Sequence, residues 1–185
     1  MELLFYTTFH TSFETITTVW KEIGSDLKIQ RIFLSDPEHK SESKALESFK
    51  HITLESSSSI IIVGEKIQKF LKGESVHFDL RLLDFDKCYE IQKKVLIAEY
   101  GIPRGWVSTY KRIANTIGIP KGARVVGNAL ARNPFPIIIP CHRAIKTNGD
   151  LGGFQGGIEM KRALLEIEGI KVSKKGKIIT ERIFY

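Results

Sequence analysis

A chain of 185 residues, 42% hydrophobic and 26% charged, has the make-up of a globular protein and room for one large domain or two small ones. No apolar stretch is long enough to span a bilayer, and Met1 to Thr7 lacks the basic start and cleavage site of a secretory signal, so an intracellular location is expected, cytoplasmic or, in a eukaryote, nuclear. Cys88 and Cys141 are expected to be free thiols and are too few for a cysteine-built zinc site, so no metal centre is expected. Charge is unevenly placed: residues 1–84 carry a net −3 and residues 85–185 a net +10. A basic second half suits a polyanionic partner, nucleic acid being the commonest.

In chain order, Leu3 to His10 and Phe13 to Trp20 are β-rich runs joined by a short polar turn, which predicts a hairpin. Lys28 to Leu34 alternates as a half-buried strand should. Ser41 to Phe49 reads as a helix, Glu55 to Ser59 as a polar loop and Ile60 to Val63 as a short buried strand. Glu65 to Leu71 then reads as a helix stopped at Gly73. The four histidines of this half, His10, His39, His51 and His77, lack ligand spacing, and nothing here names a chemistry.

The second half opens with a helix from Lys87 to Tyr100, with Tyr89, Val95 and Leu96 on its apolar face and Ile91 and Ala98 beside it. Gly101 and Pro103 end it, Ser108 or Thr109 can cap a helix running to Ile117, and Gly118 to Gly122 is a breaker cluster. A helix from Ala123 to Arg132 follows, so two short helices flank a Gly-bearing turn, the signature of a helix-turn-helix. Ala123, Gly127 and Ala131 recur every four positions and give that helix one narrow face, fit for a groove or for another backbone.

Pro140-Cys141-His142-Arg143 closes the apolar run Phe135 to Ile139. A buried structural cysteine is the ordinary reading of a lone Cys. Here the apolar run stops in His and Arg, residues that do not suit an apolar core, and a thiol beside an imidazole is a candidate nucleophile whose thiolate a base can favour. The glycine-rich stretch Gly149 to Gly157 leads into a helix from Ile158 and lacks P-loop spacing. A cysteine hydrolase and a non-catalytic helix-turn-helix regulator are the rival readings. The first draws Cys and His from distant parts of a chain, and in an extended segment the adjacent Cys141 and His142 cannot easily face each other. The second leaves the setting of Cys141 without a purpose.

Taken with Asn133-Pro134, Tyr110, the Arg124 helix, Gly156-Gly157 and Glu168-Gly169, this segment resembles the active site of the O6-alkylguanine-DNA alkyltransferases over roughly residues 88–170. The resemblance implies an α/β (α+β) protein: an N-terminal ribonuclease H-like domain over 1–84, then a mostly helical domain over 85–185 carrying a helix-turn-helix and the active-site cysteine. It implies a monomer without cofactor, acting on double-stranded DNA that contains alkylated guanine. Cys141 would take the alkyl group irreversibly, one turnover per molecule, with His142 as base through a water and Glu168 orienting it. Asn133 would brace the site, and Tyr110 would crowd the phosphate and protonate the leaving guanine. Arg124 would fill the gap left in the base stack, with Ala123, Gly127, Asn128 and Arg132 on the DNA-facing helix. Ala144, Phe154, Gln155, Gly156 and Lys161 would form the substrate pocket. Ala144 stands where the family usually has Val, and Phe154 where several relatives have Tyr.

Overall fold

A computed structural model describes residues 3–185. Met1 and Glu2, which belong to the stretch expected to lack a secretory signal and to the domain expected over 1–84, lie outside them. The chain divides into two compact units, Met1–Lys87 with Pro134–Pro136, and Cys88–Asn133 with Ile137–Tyr185. Among the described residues no helix is long and apolar enough to cross a membrane.

The first unit is built on a mixed sheet. The expected hairpin forms from β1 (Leu4–Thr11) and β2 (Glu14–Ile23), and β3 (Asp26–Leu34) pairs antiparallel with β2. A short strand not expected from the sequence, β4 (Ile52–Leu54), adds parallel to β1, giving the order β3-β2-β1-β4. With period-2 strands each face carries alternate residues. Tyr6, Val19 and Phe33 pack on Ala45 of α1 (Ser41–Ser48), while Phe9 meets α2 (Ser58–Leu71) at Gly64, where an added Cβ would lie 2.2 Å from the ring. Both faces are therefore covered, and six consecutive residues of β2, Ile16 to Lys21, are buried. Trp20 is 1% exposed, packs against Phe5 in a tilted pair with ring centroids 5.0 Å apart and donates its Nε1–H to Thr7 Oγ1 at 2.9 Å. The pairing of β2 with β3 shifts register at a bulge between Val19 and Trp20.

The strand expected over Ile60 to Val63 is instead part of α2, which also takes Ser58 and Ser59 from the expected loop. Four apolar residues in a row do not separate strand from helix. Burial does: Ile60, Val63, Ile67 and Phe70 point inward at helical spacing, while Ile61 and Ile62 remain exposed.

The second unit carries α3 (Glu90–Tyr100), α4 (Tyr110–Thr116), α5 (Ala123–Ala131) and α6 (Ile158–Ile167). A two-residue parallel pair joins β5 (Ser108–Thr109) to β6 (Ala144–Ile145), and β7 (Lys171–Val172) and β8 (Ile178–Ile179) form a small hairpin. Helix α3 starts three residues later than expected. Tyr89 is its exposed N-cap, and Gln92, Val95, Leu96, Ala98 and Glu99 face inward. Gln92 Nε2 donates to Arg132 O at 3.0 Å and Ala129 O at 3.3 Å, filling carbonyls that the end of α5 leaves open. Thr109 caps α4 by accepting from Arg112 N–H, and α4 packs on α5 across the Gly118–Gly122 turn. Gly122 is required there, since a Cβ would sit 2.5 Å from Ile119.

Replacing Trp20 with alanine is expected to destabilise the protein by about 3–5 kcal/mol, through lost burial, a cavity and the orphaned Thr7 contact. Chemical denaturation read as a shift in midpoint at constant slope checks this.

Candidate active site

The approach to Cys141 is held by local strain and one asparagine. Ile137, a β-branched residue, sits at φ 74°, a left-handed conformation such side chains rarely adopt. Pro140 at φ −78°, ψ 58° makes an inverse γ-turn, closed by Cys141 N–H donating to Ile139 O at 2.8 Å. The same carbonyl accepts from Asn133 Nδ2 at 3.2 Å. Cys141 to Arg143 then form one 3-10 turn rather than the extended segment expected, so the side chains of Cys141 and His142 leave the backbone in different directions.

His142 and Arg143 do not mark the edge of the core, as expected; they lie inside it, 0% and 7% exposed. Their partner is Glu168 at the C-terminus of α6. Glu168 Oε1 meets His142 Nε2 at 2.9 Å and accepts from Arg143 Nη2 at 2.7 Å, while Oε2 accepts from Arg143 Nε at 2.9 Å and Gly105 N–H at 3.2 Å. Arg143 Nη1 donates to Ile102 O at 2.6 Å. Burial alone would raise the Glu168 carboxyl, but the hydrogen bond from His142 and the hydrogen bonds and charge of Arg143 outweigh it and hold it at about 2. Burial lowers His142, more than Glu168 raises it, so the imidazole is neutral at pH 7. Glu168 fixes Nε2, and Nδ1 is the ring nitrogen it does not engage.

Cys141 is 5% exposed, and burial pushes its thiol up to about 12 despite a hydrogen bond from Asn133. The neighbouring base therefore does not keep a standing thiolate; desolvation wins in the resting site. Cys141 forms part of the wall of a cavity of about 370 Å³ that is also lined by Tyr110, Gly127, Leu130, Ala131, Lys146, Gly152, Gly153, Phe154 and Gln155. Of the residues expected in the pocket, Phe154 and Gln155 line this cavity. Ala144, Gly156 and Lys161 are buried outside its lining. Lys161 is 0% exposed, and its Nζ donates to Ala144 O at 2.7 Å and Gly153 O at 3.3 Å, tying the loop to the active-site turn. Gln155 acts through its side chain, donating from Nε2 to Asn133 O at 2.7 Å. Gly152, at φ 72°, lets the backbone pass Tyr110; a Cβ there would lie 2.5 Å from the phenol oxygen. Burial, then the nearby Glu99 and Cys141, raise Tyr110 to about 12, so it holds its proton.

Helix α5 buries Val126, Ala129 and Leu130 and turns Arg124, Asn128, Ala131 and Arg132 to solvent, with Ala123 and Gly127 half-buried between them. A Cβ on Gly127 would meet nothing within 4 Å, so the narrow face is open rather than packed against another element. Its lower end, Gly127 and Ala131, is also the rim of the cavity. The structure sets Cys141 and Tyr110 on one cavity, ties Asn133 to the carbonyl before the Cys141 turn and joins His142 to Glu168; sequence reasoning missed the Arg143–Glu168 pairing and the burial of Glu99 on α3. Neither leaves a periodic signal, because a charged residue on an amphipathic helix normally marks the outer face. Among the described residues no group of three or more His, Cys, Asp or Glu side chains is placed to hold a metal.

Comparison with known proteins agrees with this geometry. Residues 90–170 match the family described as 6-O-methylguanine DNA methyltransferase, DNA binding domain. A methylated-DNA--protein-cysteine methyltransferase of Methanothermobacter thermautotrophicus is 43% identical over 129 residues, 69% of this chain and 72% of that protein. The chain belongs to the methylated-DNA--protein-cysteine methyltransferase family. A methyltransferase of this family from Saccharolobus islandicus is 48% identical over 115 residues, 62% of this chain and 73% of that protein. The crystal structure of the Mycobacterium tuberculosis O6-methylguanine methyltransferase superposes with a TM-score of 0.72 at 31% identity, covering 90% of this chain and 93% of that one. The mycobacterial protein in complex with DNA gives 0.71 at 33% identity, covering 88% and 91%. These matches bear out the family and its mixed α/β character.

Replacing Glu168 with glutamine leaves the Arg143 guanidinium buried without a counter-charge, and is expected to cost about 3–5 kcal/mol. In the unmodified protein the Glu168 carboxyl is depressed from 4.5 to about 2, so its stabilisation is complete above the unfolded value and lost as pH falls through the folded one. Stability should therefore drop between those two pH values, and the Glu168→Gln protein should show a smaller drop over the same window. Thermal unfolding measured against pH checks both.

Proposed function

We propose that this protein repairs DNA by moving the alkyl group of an O6-alkylguanine, with O4-alkylthymine as a second substrate, onto Cys141. The observation that carries the reading is the placement of Cys141 in the wall of a cavity, next in the chain to a buried, neutral His142 fixed by Glu168. His142, through a water, takes the thiol proton. The sulfur attacks the alkyl carbon, an S–C bond forms as the C–O6 bond breaks, and the electron pair passes to the base. Tyr110, kept protonated by burial, supplies the proton that the leaving guanine needs. The product is a thioether, which nothing in the site can cleave, so each molecule acts once.

A stacked base cannot reach this cavity, so the target must leave the duplex, at a cost of a few kcal/mol. The open face of α5 supports minor-groove docking, where small side chains allow close approach, and the exposed Arg124 suits insertion into the vacated stack. On this reading α4 and α5 form the helix-turn-helix, with Ala123, Gly127, Asn128 and Arg132 against the DNA. Asn133 and Gln155 link the docking helix to the cysteine and the pocket loop. Phe154, lacking a hydroxyl, offers only its ring to the base. The mixed four-stranded sheet with helices on both faces supports a ribonuclease H-like first domain, over 1–84, and the remainder, 85–185, is the DNA-binding and transfer domain. The fitting compartment is the cytoplasm, or the nucleus in a eukaryote, and the working form is a monomer without cofactor. Hydrolase chemistry fits less well, because the Cys141 amide, which an oxyanion hole would use, is committed to Ile139 O.

Cys141→Ala is expected to abolish transfer from O6-methylguanine duplex while sparing DNA binding; retained transfer would refute the nucleophile. Arg124→Ala is expected to slow repair of duplex by at least about tenfold more than reaction with a free alkylated base, since only the duplex needs the gap filled. Single-turnover rates on the two substrates measure the difference, and equal losses would remove the stack-filling role.

A further inference from the structure

The basic charge of the second half of the chain does not lie on α5 alone. Lys171 to Ile179, the β7–β8 hairpin with its turn, carries four lysines and no acid. All four, Lys171, Lys174, Lys175 and Lys177, are exposed. A run of surface lysines is usually no more than a solvated face. Two observations set this one apart: the hairpin is firmly held, and it is joined to the rim of the active-site cavity.

Val172 and Ile178 pack inward against the buried cluster that includes Ile145, Leu151 and Leu165. Ser173 N–H donates to Lys177 O at 2.8 Å and Gly176 N–H to Ser173 O at 2.9 Å, with Gly176 at φ 77° closing the turn. From α6, Arg162 Nη1 donates to Ser173 O at 3.0 Å. The lysines therefore stand on a fixed backbone, and engaging a ligand costs side-chain freedom only. Lys146 lines the cavity together with Gly127 and Ala131 of α5, and opens the turn that runs to Asp150. The hairpin docks on that same turn. Ile178 N–H donates to Gly149 O at 2.9 Å, Lys177 pairs with Asp150 through an isolated β-bridge, and Lys177 Nζ donates to Asn148 O at 3.3 Å. Asn148 is two residues from Lys146, a span of at most about 7 Å. Lys177 Nζ also lies 3.8 Å from the Asp150 carboxylate, whereas Lys174 and Lys175, in the turn, have no acidic partner among the described residues.

We propose that the β7–β8 hairpin is a second contact for the DNA backbone, in which Lys174 and Lys175 meet phosphates near the extruded nucleotide while α5 occupies the groove. The inference rests on the function proposed above. An extruded base leaves its sugar and phosphates in the strand, so those phosphates lie at the cavity mouth, where Lys146 stands. The mouth is bordered on one side by α5 and on another by the turn that carries the hairpin. A strand seated on α5 with its base in the cavity therefore brings neighbouring phosphates within reach of long side chains on the hairpin. Lysine contacts to phosphate carry no sequence information, which suits a protein that searches for a lesion rather than a sequence.

The test measures the affinity for a duplex containing O6-methylguanine as a function of salt, in protein carrying Cys141→Ala so that no transfer follows binding. Each phosphate contact adds about 0.9 to the slope of log affinity against log salt. Lys174→Gln combined with Lys175→Gln should therefore make that slope shallower by about 1 to 2, whatever the sequence around the lesion. Lys174→Arg combined with Lys175→Arg keeps both charges and should keep the slope. The same loss of two charges at Lys93 and Lys94, exposed on α3, should also leave it unchanged. An unchanged slope in the hairpin glutamine variant, or an equal change in the α3 control, would overturn the proposal. Should the glutamine variant not fold, amine acetylation of the unaltered protein, mapped by peptide mass, decides. Protection of Lys174 and Lys175 by the duplex supports the contact, and equal labelling with and without duplex overturns it. A protein that binds no duplex and gains no alkyl group on Cys141 would be a different result: it would remove the repair reading, and this proposal with it.

Discussion

The second unit depends on one carboxylate. Glu168 neutralises Arg143, fixes the tautomer-determining nitrogen of His142 and accepts from the backbone at Gly105, all inside the core. Each of these groups would be costly to bury alone, and together they are satisfied. Because His142 and Arg143 lie on the same 3-10 turn as Cys141, the network that satisfies the core also sets where the sulfur points. Stability and site geometry are therefore the same interaction seen from two sides, while Asn133 and the Cys141 amide hold the γ-turn at Pro140 through Ile139 O.

Burial has a second consequence, for the thiol itself. Raising Cys141 from 9 to about 12 disfavours the thiolate by on the order of 4 kcal/mol in the resting site. A protein that reacts once gains from this: a thiol kept protonated in a lined cavity is protected from oxidation and stray electrophiles. On the function proposed above, its reactivity then has to come from the groups assembled around it. Tyr110, which lines the same cavity, is held protonated by the same burial.

Much of the first unit was legible, because β1 and β2 are β-rich runs joined by a short polar turn and β3 alternates polar and apolar residues. The segment from Ile60 to Val63 was not, since a short apolar run looks the same to a strand and to a helix, and only the sheet beneath α2 decides. In the second unit, cap and breaker residues marked α4 and α5 closely, and Cys141 stood out through its neighbours. The reason given for it needed correction: His142 and Arg143 stand out not because they leave the core but because they are paired within it. The burial of Glu99 and the bond from the Gln155 side chain to Asn133 O were invisible for a related reason: both are set by residues far away in sequence, and no local pattern carries that information.

The most direct measurement is the mass of the intact protein after mixing with duplex DNA that contains O6-methylguanine, followed by peptide mapping. The account predicts one added methyl group per molecule, on Cys141, stoichiometric with lesion lost and not reversed on standing. An unmodified protein, or a methyl group found on Cys88 instead, would contradict it.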